Sequence, residues 1–190
     1  MNEKAVTVAI LCAATKSVYH EMDGLDVYDI TRDARTFPGG MPIVAHPPCR
    51  GWSQYAANMG HVPIPEEREL GLWCCEQLRG CGGVLEQPQG STLFEAAGFH
   101  DDPDVYCTFV QQSWWGYPIR KGTWLAFVGI DPKLIEVPLR LGVLPTRAFW
   151  DSKRSLRSAT TRGFAEWLVA LARIAHERED DGTLGQPDPA

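Results

Sequence analysis

A cysteine, a glutamate and a pair of cations stand where they could serve one reaction. Cys49 follows His46-Pro47-Pro48 at the end of the apolar run Ile43-Val44-Ala45. Two consecutive prolines cannot donate to a sheet ladder and hold the backbone extended, so a strand ends at His46 and the thiol sits on a stiff loop. A thiol aimed by such a loop suits nucleophilic attack; a core cysteine beside a turn is the alternative. Glu86 stands in the same relation to a second apolar run, Val84-Leu85, cut short by Pro88. The cations Arg120 and Lys121 lie just beyond Trp114-Trp115-Gly116. Tryptophans beside cations at a turn suit a surface that stacks a base and binds a phosphate, or else a hydrophobic lid over the core.

The elements that must position these groups alternate between strand and helix. Residues 6–12 are β-branched and apolar on both faces, as in a buried parallel strand. A small-residue loop and a turn or two of helix lead to a second strand at 25–30, and Pro38-Gly39-Gly40 turns the chain into a third at 42–45. Pro65, Glu66 and Glu67 open a helix, with Leu70, Trp73, Cys74 and Leu78 at helical spacing, that stops at Gly80-Cys81-Gly82-Gly83. A short strand runs into Glu86-Gln87-Pro88, and Gly90 to Phe94 starts another short helix. Residues 105–111 and 123–130 read as strands of a hairpin-like unit. Thr160-Thr161 caps a last helix through His176, with Phe164, Leu168, Leu171, Ala172 and Ala175 on one face. The pattern predicts an α/β fold, an open and mostly parallel sheet flanked by helices. One domain is expected over 1–176, followed by an acidic and Pro/Gly-rich tail, expected to be disordered, over 177–190. A strand order of this kind puts Cys49 and Glu86 at strand carboxyl ends, where open α/β sheets bind ligands.

The chain has 190 residues, enough for one well-buried domain. At 44% hydrophobic and 22% charged it has the composition of an ordinary soluble protein, and no apolar run reaches membrane-spanning length, so no membrane partner is expected. The net charge of −6 argues against a surface that adheres to nucleic acid as a whole. Between Lys133 and Arg162, however, seven basic residues face two acidic ones, a stretch that suits phosphates or a solvated face equally. The six cysteines show no C-x₂-C spacing and no secretory signal precedes them, so reduced thiols in a cytoplasm are expected, and no metal site is assigned.

At these motifs the chain resembles DNA cytosine-5 methyltransferases. Ala45-His46-Pro47-Pro48-Cys49-Arg50-Gly51-Trp52-Ser53 is similar to their Pro-Cys loop, Glu86-Gln87-Pro88 to their Glu-Asn-Val loop, and Gly116 to Trp124 to their Gly-x-Pro-Gln-x-Arg-x-Arg hairpin. Asp26 to Ile30 resembles the Asp-Ile strand that precedes the cysteine loop. The HPPCR-W pattern is also similar to small phage-borne proteins, which implies a host cytoplasm. The resemblance implies a reduced Rossmann-like methyltransferase fold in which Cys49 adds to C6 of a pyrimidine, Glu86 holds N3, and Arg120 or Lys121 is the site cation. It also implies substrate contacts from Pro47, Pro48, Arg50, Trp52 and Ser53, from Gln87 and Pro88, and from Trp114, Trp115, Gly116 and Thr123. If Arg50 or a helix start lies near the thiol, its pKa is expected to be lowered.

The cofactor that the resemblance implies is S-adenosylmethionine, held over Ala13, Ala14 and Thr15 and beside Asp29, which resembles the aspartate that contacts the adenine amino group. Here the sequence departs from the family. Leu11 to Ser17 carries no glycine, the hairpin glutamine is Ile119, and no segment is left for a target-recognition domain. Weak cofactor binding or none is therefore expected, with a pyrimidine nucleotide, or DNA with little sequence preference, as partner. Two other classes share these residues: a non-catalytic nucleotide or nucleic-acid binder, such as a viral accessory protein, and a thiol-dependent nucleotide hydrolase or transferase.

Overall fold

The computed structural model describes residues 7–54, 62, 64–138 and 159–180. Six strands form one sheet: β1 Val8–Leu11, β2 Leu25–Val27, β3 Ile43–Ala45, β4 Gly83–Pro88, β5 Tyr106–Gln111 and β6 Gly122–Val128, in the order β2-β1-β3-β4-β6-β5. The pairings of β1 with β2, β1 with β3 and β3 with β4 are parallel. Those of β4 with β6 and β5 with β6 are antiparallel. The sheet is therefore mixed. Its antiparallel third is the hairpin-like unit read in the sequence, folded back so that β6 lies beside β4.

Side chains alternate across a strand, and the two faces of this sheet bury separate cores. Val8 and Ile10 of β1, Val44 and Val84 face helix α3 (Arg162–Asp180) through Phe164, Ala165, Leu168 and Ala172. Ala9 and Leu11, Ile43, Ala45 and Leu85 face helix α1 (Pro65–Cys81) through Cys74, Cys75 and Leu78. The central strands are apolar on both faces because both faces are covered. A third helix, α2, spans only Leu93–Ala96, and the segment after β1 makes only a short 3-10 turn, Val18–Glu21.

Glycine is required where β3 and β4 meet. Gly83 has φ +116°, and a Cβ there would lie 2.1 Å from the Ile43 carbonyl oxygen. Helix α1 ends one residue earlier at Gly82, whose N–H reaches the Leu78 carbonyl at 3.0 Å. The last helix runs to Asp180 rather than stopping at His176. Residues 181–190 of the expected tail, and most of the basic stretch at 139–158, lie outside the described residues. Among the described residues no helix is long and apolar enough to cross a membrane.

Candidate active site

β3 stops at Ala45, which pairs with Leu85, while β4 continues for three residues along β6. One more backbone bond, His46 N–H to the Leu11 carbonyl at 2.9 Å, keeps the chain beside β1. Then Pro47 and Pro48 lead it off the sheet. The departure uncovers one edge of β4 from Glu86 onward, and Glu86 and Gln87 are used there differently. Gln87, 1% exposed, donates from Nε2 to the Pro47 carbonyl at 2.8 Å and accepts from the Ser91 hydroxyl at 2.9 Å. It closes the gap that β3 leaves. Sequence reading places the end of this strand at Glu86; the strand instead runs through Pro88, because β6 pairs with it to the Pro88–Thr123 position.

Beyond Cys49 the loop is tied down on every side. The Trp52 N–H donates to the Cys49 carbonyl at 3.1 Å, and the Trp52 carbonyl accepts from Thr92 N–H at 2.9 Å. The Trp52 ring is buried with the α1-side core, with the Arg68 guanidinium 4.0 Å over its centre. Ser53 bridges to Ser91, and Arg50 pairs with Glu67 of α1, with Nε 3.1 Å from Oε2. Trp52, Arg50 and Gln87, expected among the substrate contacts, thus anchor the cysteine loop. Cys49 itself stays exposed.

Glu86 points to the other face and gathers donors. Its carboxylate meets His46 Nδ1 at 3.1 Å, Gln112 Nε2 at 3.3 Å and the Thr123 hydroxyl. Burial alone would raise its pKa, but the His46 hydrogen bond, the nearby Lys121 ammonium and Thr123 outweigh it, and the group is held below the usual glutamate value. Lys121 is itself buried, donates to the Ala159 carbonyl at 3.1 Å, and acts on the charges of both Cys49 and Glu86. Between the two expected cations the structure therefore singles out Lys121; Arg120 is exposed.

The Cys49 thiol departs from expectation. Burial of its surroundings and the Glu86 charge push its pKa up, and Lys121 opposes them only in part. The lowering expected from Arg50 fails because that guanidinium is spent on Glu67. A resting thiol, rather than a thiolate, faces the site.

The tryptophans of the hairpin connection sit at its far side. Trp114 and Trp115 are half-buried against the α3-side core, and the Trp115 ring lies 4.9 Å from Phe164 and 4.6 Å from Trp167. Gly116 closes this turn in the left-handed region at φ +84°.

Three residues of the site carry no signal in the sequence reading. His46 appears there as a strand terminus and as part of the Pro-Cys loop motif, with no role toward Glu86, and neither Tyr19 nor Gln112 is singled out. Tyr19 bonds His46 Nε2 at 2.9 Å, and Gln112 joins Glu86 to Thr123. The polar ends of two apolar runs, His46 and Gln111-Gln112, are the features from which their roles could have been read.

The residues expected to hold S-adenosylmethionine do not fit it. Oδ1 of Asp29 already accepts from Thr31 N–H at 2.8 Å, the Thr31 hydroxyl at 2.6 Å and Arg32 N–H at 3.3 Å, while Oδ2 faces His20 at 3.5 Å. The aspartate caps its own turn. Cys12 takes φ +61°, a conformation that favours glycine, so Ala13, Ala14 and Thr15 follow a left-handed residue that carries a side chain. Among the described residues no group of three or more His, Cys, Asp or Glu side chains comes together as metal ligands. No protein-family model and no curated protein matches the chain.

Proposed function

We propose that this protein is an enzyme that adds Cys49 to C6 of a pyrimidine, in a nucleotide or in DNA, and so activates C5 for group transfer. The observation that carries this is the coupling of one exposed thiol, one ionised buried carboxylate and one buried ammonium where β3, β4 and β6 adjoin. A Rossmann-like methyltransferase fold in reduced form is the architecture that goes with this reading.

The chemistry needs each member. As sulfur bonds to C6, the C5–C6 double bond opens and its electron pair moves to C5 and, by conjugation, toward the N3 edge. Glu86 holds that edge, and Lys121 supplies positive charge where negative charge develops. The C5 pair then bonds to the electrophilic carbon of a group donor, whose leaving group departs with its bonding pair; a base takes the C5 proton as sulfur is expelled, and the ring is restored. The raised thiol pKa makes proton removal from Cys49 part of the attack rather than a resting property of the enzyme.

A 5-fluoropyrimidine supplied with excess S-adenosylmethionine as group donor tests the reading, because once a group is bonded to C5 the fluorine there cannot leave as a proton does, and the sulfur–C6 adduct persists. The resting thiol also favours a second reading, a non-catalytic binder of bases or nucleic acid. Such a protein would show substrate quenching of tryptophan fluorescence with no adduct.

A further inference from the structure

Tyr19, His46 and Glu86 form a partly buried chain, of which the proposed addition uses only Glu86. Tyr19 is 1% exposed and its hydroxyl lies 2.9 Å from His46 Nε2; His46 Nδ1 lies 3.1 Å from Glu86 Oε2. A carboxylate only accepts, so Nδ1 carries a proton. The Tyr19 hydroxyl, kept protonated by burial and the Glu86 charge, meets Nε2 as donor when the ring is neutral and as acceptor when both ring nitrogens carry protons. The three groups come from different elements: the 3-10 turn after β1, the end of β3, and β4. Neither Pro47 nor the sheet lets His46 retreat, since its N–H is held by Leu11 and the next residue's carbonyl by Gln87.

We propose that His46, anchored by Tyr19, is a positioning residue that fixes the aim and the ionisation of Glu86 by donating Nδ1–H to Oε2. The inference rests on the reading of Glu86 as the group that holds the base. An acceptor-only carboxylate locked on one oxygen presents its remaining lone pairs to the ring in a single orientation, which is what a group must do to act on N3 without reorganising. The groups coupled to Glu86 that titrate are His46, Tyr19, Cys49 and Lys121, and Thr123 and Gln112 add neutral donors. Gln112 ties Glu86 to Thr123, and His46 ties it to the buried Tyr19.

NMR of the full, ¹³C/¹⁵N-labelled chain tests this without any substrate. The wild type should show His46 as the Nδ1–H tautomer, with Glu86 Cδ titrating below the usual glutamate range. Tyr19→Phe keeps the buried ring and removes one hydroxyl; it should shift the His46 Nε2 resonance and raise the Glu86 midpoint. His46→Leu should raise that midpoint further. An Nε2–H tautomer, or a Glu86 midpoint unmoved by Tyr19→Phe, overturns the proposal, and Tyr19→Phe decides alone if His46→Leu does not fold. A second readout uses 5-fluoro-2′-deoxyuridine 5′-monophosphate and an oligonucleotide carrying 5-fluoro-2′-deoxycytidine, each with excess S-adenosylmethionine as group donor. Tyr19→Phe should slow adduct formation about fivefold, the worth of one neutral hydrogen bond, with probe binding unchanged. If the wild type forms no adduct with either probe, the proposed activity fails, while the titration still decides the role of His46.

Discussion

Cys49 can attack only after it loses a proton that its surroundings hold on to. Burial and Glu86 raise its pKa, so iodoacetamide labelling of the thiol should have a midpoint above about 8.5, the free-cysteine value. Labelling with a midpoint below that value would show an activated thiolate and remove the need for coupled proton removal. Lys121→Met, which deletes the opposing positive charge, should move the midpoint higher still. Cys49→Ser should leave stability within about 0.5 kcal/mol of the wild type, because a single atom changes on an exposed loop residue. The sequence discloses Cys49, Glu86 and a cation because each announces itself locally, by a proline that cuts an apolar run or by two adjacent charges. It does not disclose Tyr19 and His46, whose partners lie 27 and 40 positions away, nor that Arg50 would be drawn off to Glu67. Local pattern shows which residues are available, and long-range contacts decide which are used.

Helix α1 does at the element scale what Gln87 does at the residue scale: it fixes the cysteine loop. Gly71 lies where α1 crosses Trp52, and a Cβ there would sit 2.5 Å from Trp52 Nε1, whereas one at Gly80 of the same helix meets nothing within 4 Å. Gly80→Ala should therefore stabilise the protein by about 0.5–1 kcal/mol, the helix-propensity gain. Gly71→Ala should gain the same propensity yet destabilise by about 1–2 kcal/mol net, since Trp52 must shift against a filled core. Denaturant midpoints read both, and equal effects of the two substitutions would show that Trp52 does not hold the loop against α1. The strands and long helices are legible in the sequence because period and turn residues agree. The end of β4 is not, because Pro88 marks a stop for parallel pairing while β6 pairs with it from the other side. The α3 boundary escapes for a related reason: Glu177-Arg178-Glu179-Asp180 reads as tail by composition, yet Glu and Arg are also good helix formers and the helix continues to Asp180.

For the molecule as a whole, the titrating groups define a stability window. Glu86, Asp26 and Asp102 are held below the usual carboxylate range by their hydrogen bonds and cations, which for Glu86 outweigh its burial. A lowered carboxylate pKa stabilises the fold above the unfolded value near 4, and that contribution is lost as pH falls through the folded value. Burial pushes Cys75 up to about 12 and Cys107 up to about 11, so their contribution is complete below the ordinary thiol value and is lost as pH rises above it. Tm should accordingly be highest between about pH 5 and 8, with an acid limb that Glu86→Gln flattens. A Tm that keeps rising below pH 4 would mean that these carboxylates are not held ionised by the fold. The α/β class follows from alternating apolar runs and helices, but the mixed sheet does not, since nothing local says that β6 inserts between β4 and β5. Asp29, spent on its own turn, bears on the cofactor. Calorimetry with S-adenosylmethionine should give a dissociation constant no tighter than about 100 μM. Binding near 1 μM that Asp29→Ala abolishes would restore the family's cofactor to this fold.

The central claim is that Cys49 forms a bond to a pyrimidine, and mass spectrometry of the intact protein tests it most directly. Incubation with excess S-adenosylmethionine and either 5-fluoro-2′-deoxyuridine 5′-monophosphate or an oligonucleotide carrying 5-fluoro-2′-deoxycytidine should add the mass of one probe and the transferred group, mapped to the Cys49 peptide and absent in Cys49→Ser. An unmodified protein with both probes, or an adduct that survives in Cys49→Ser, would contradict the account.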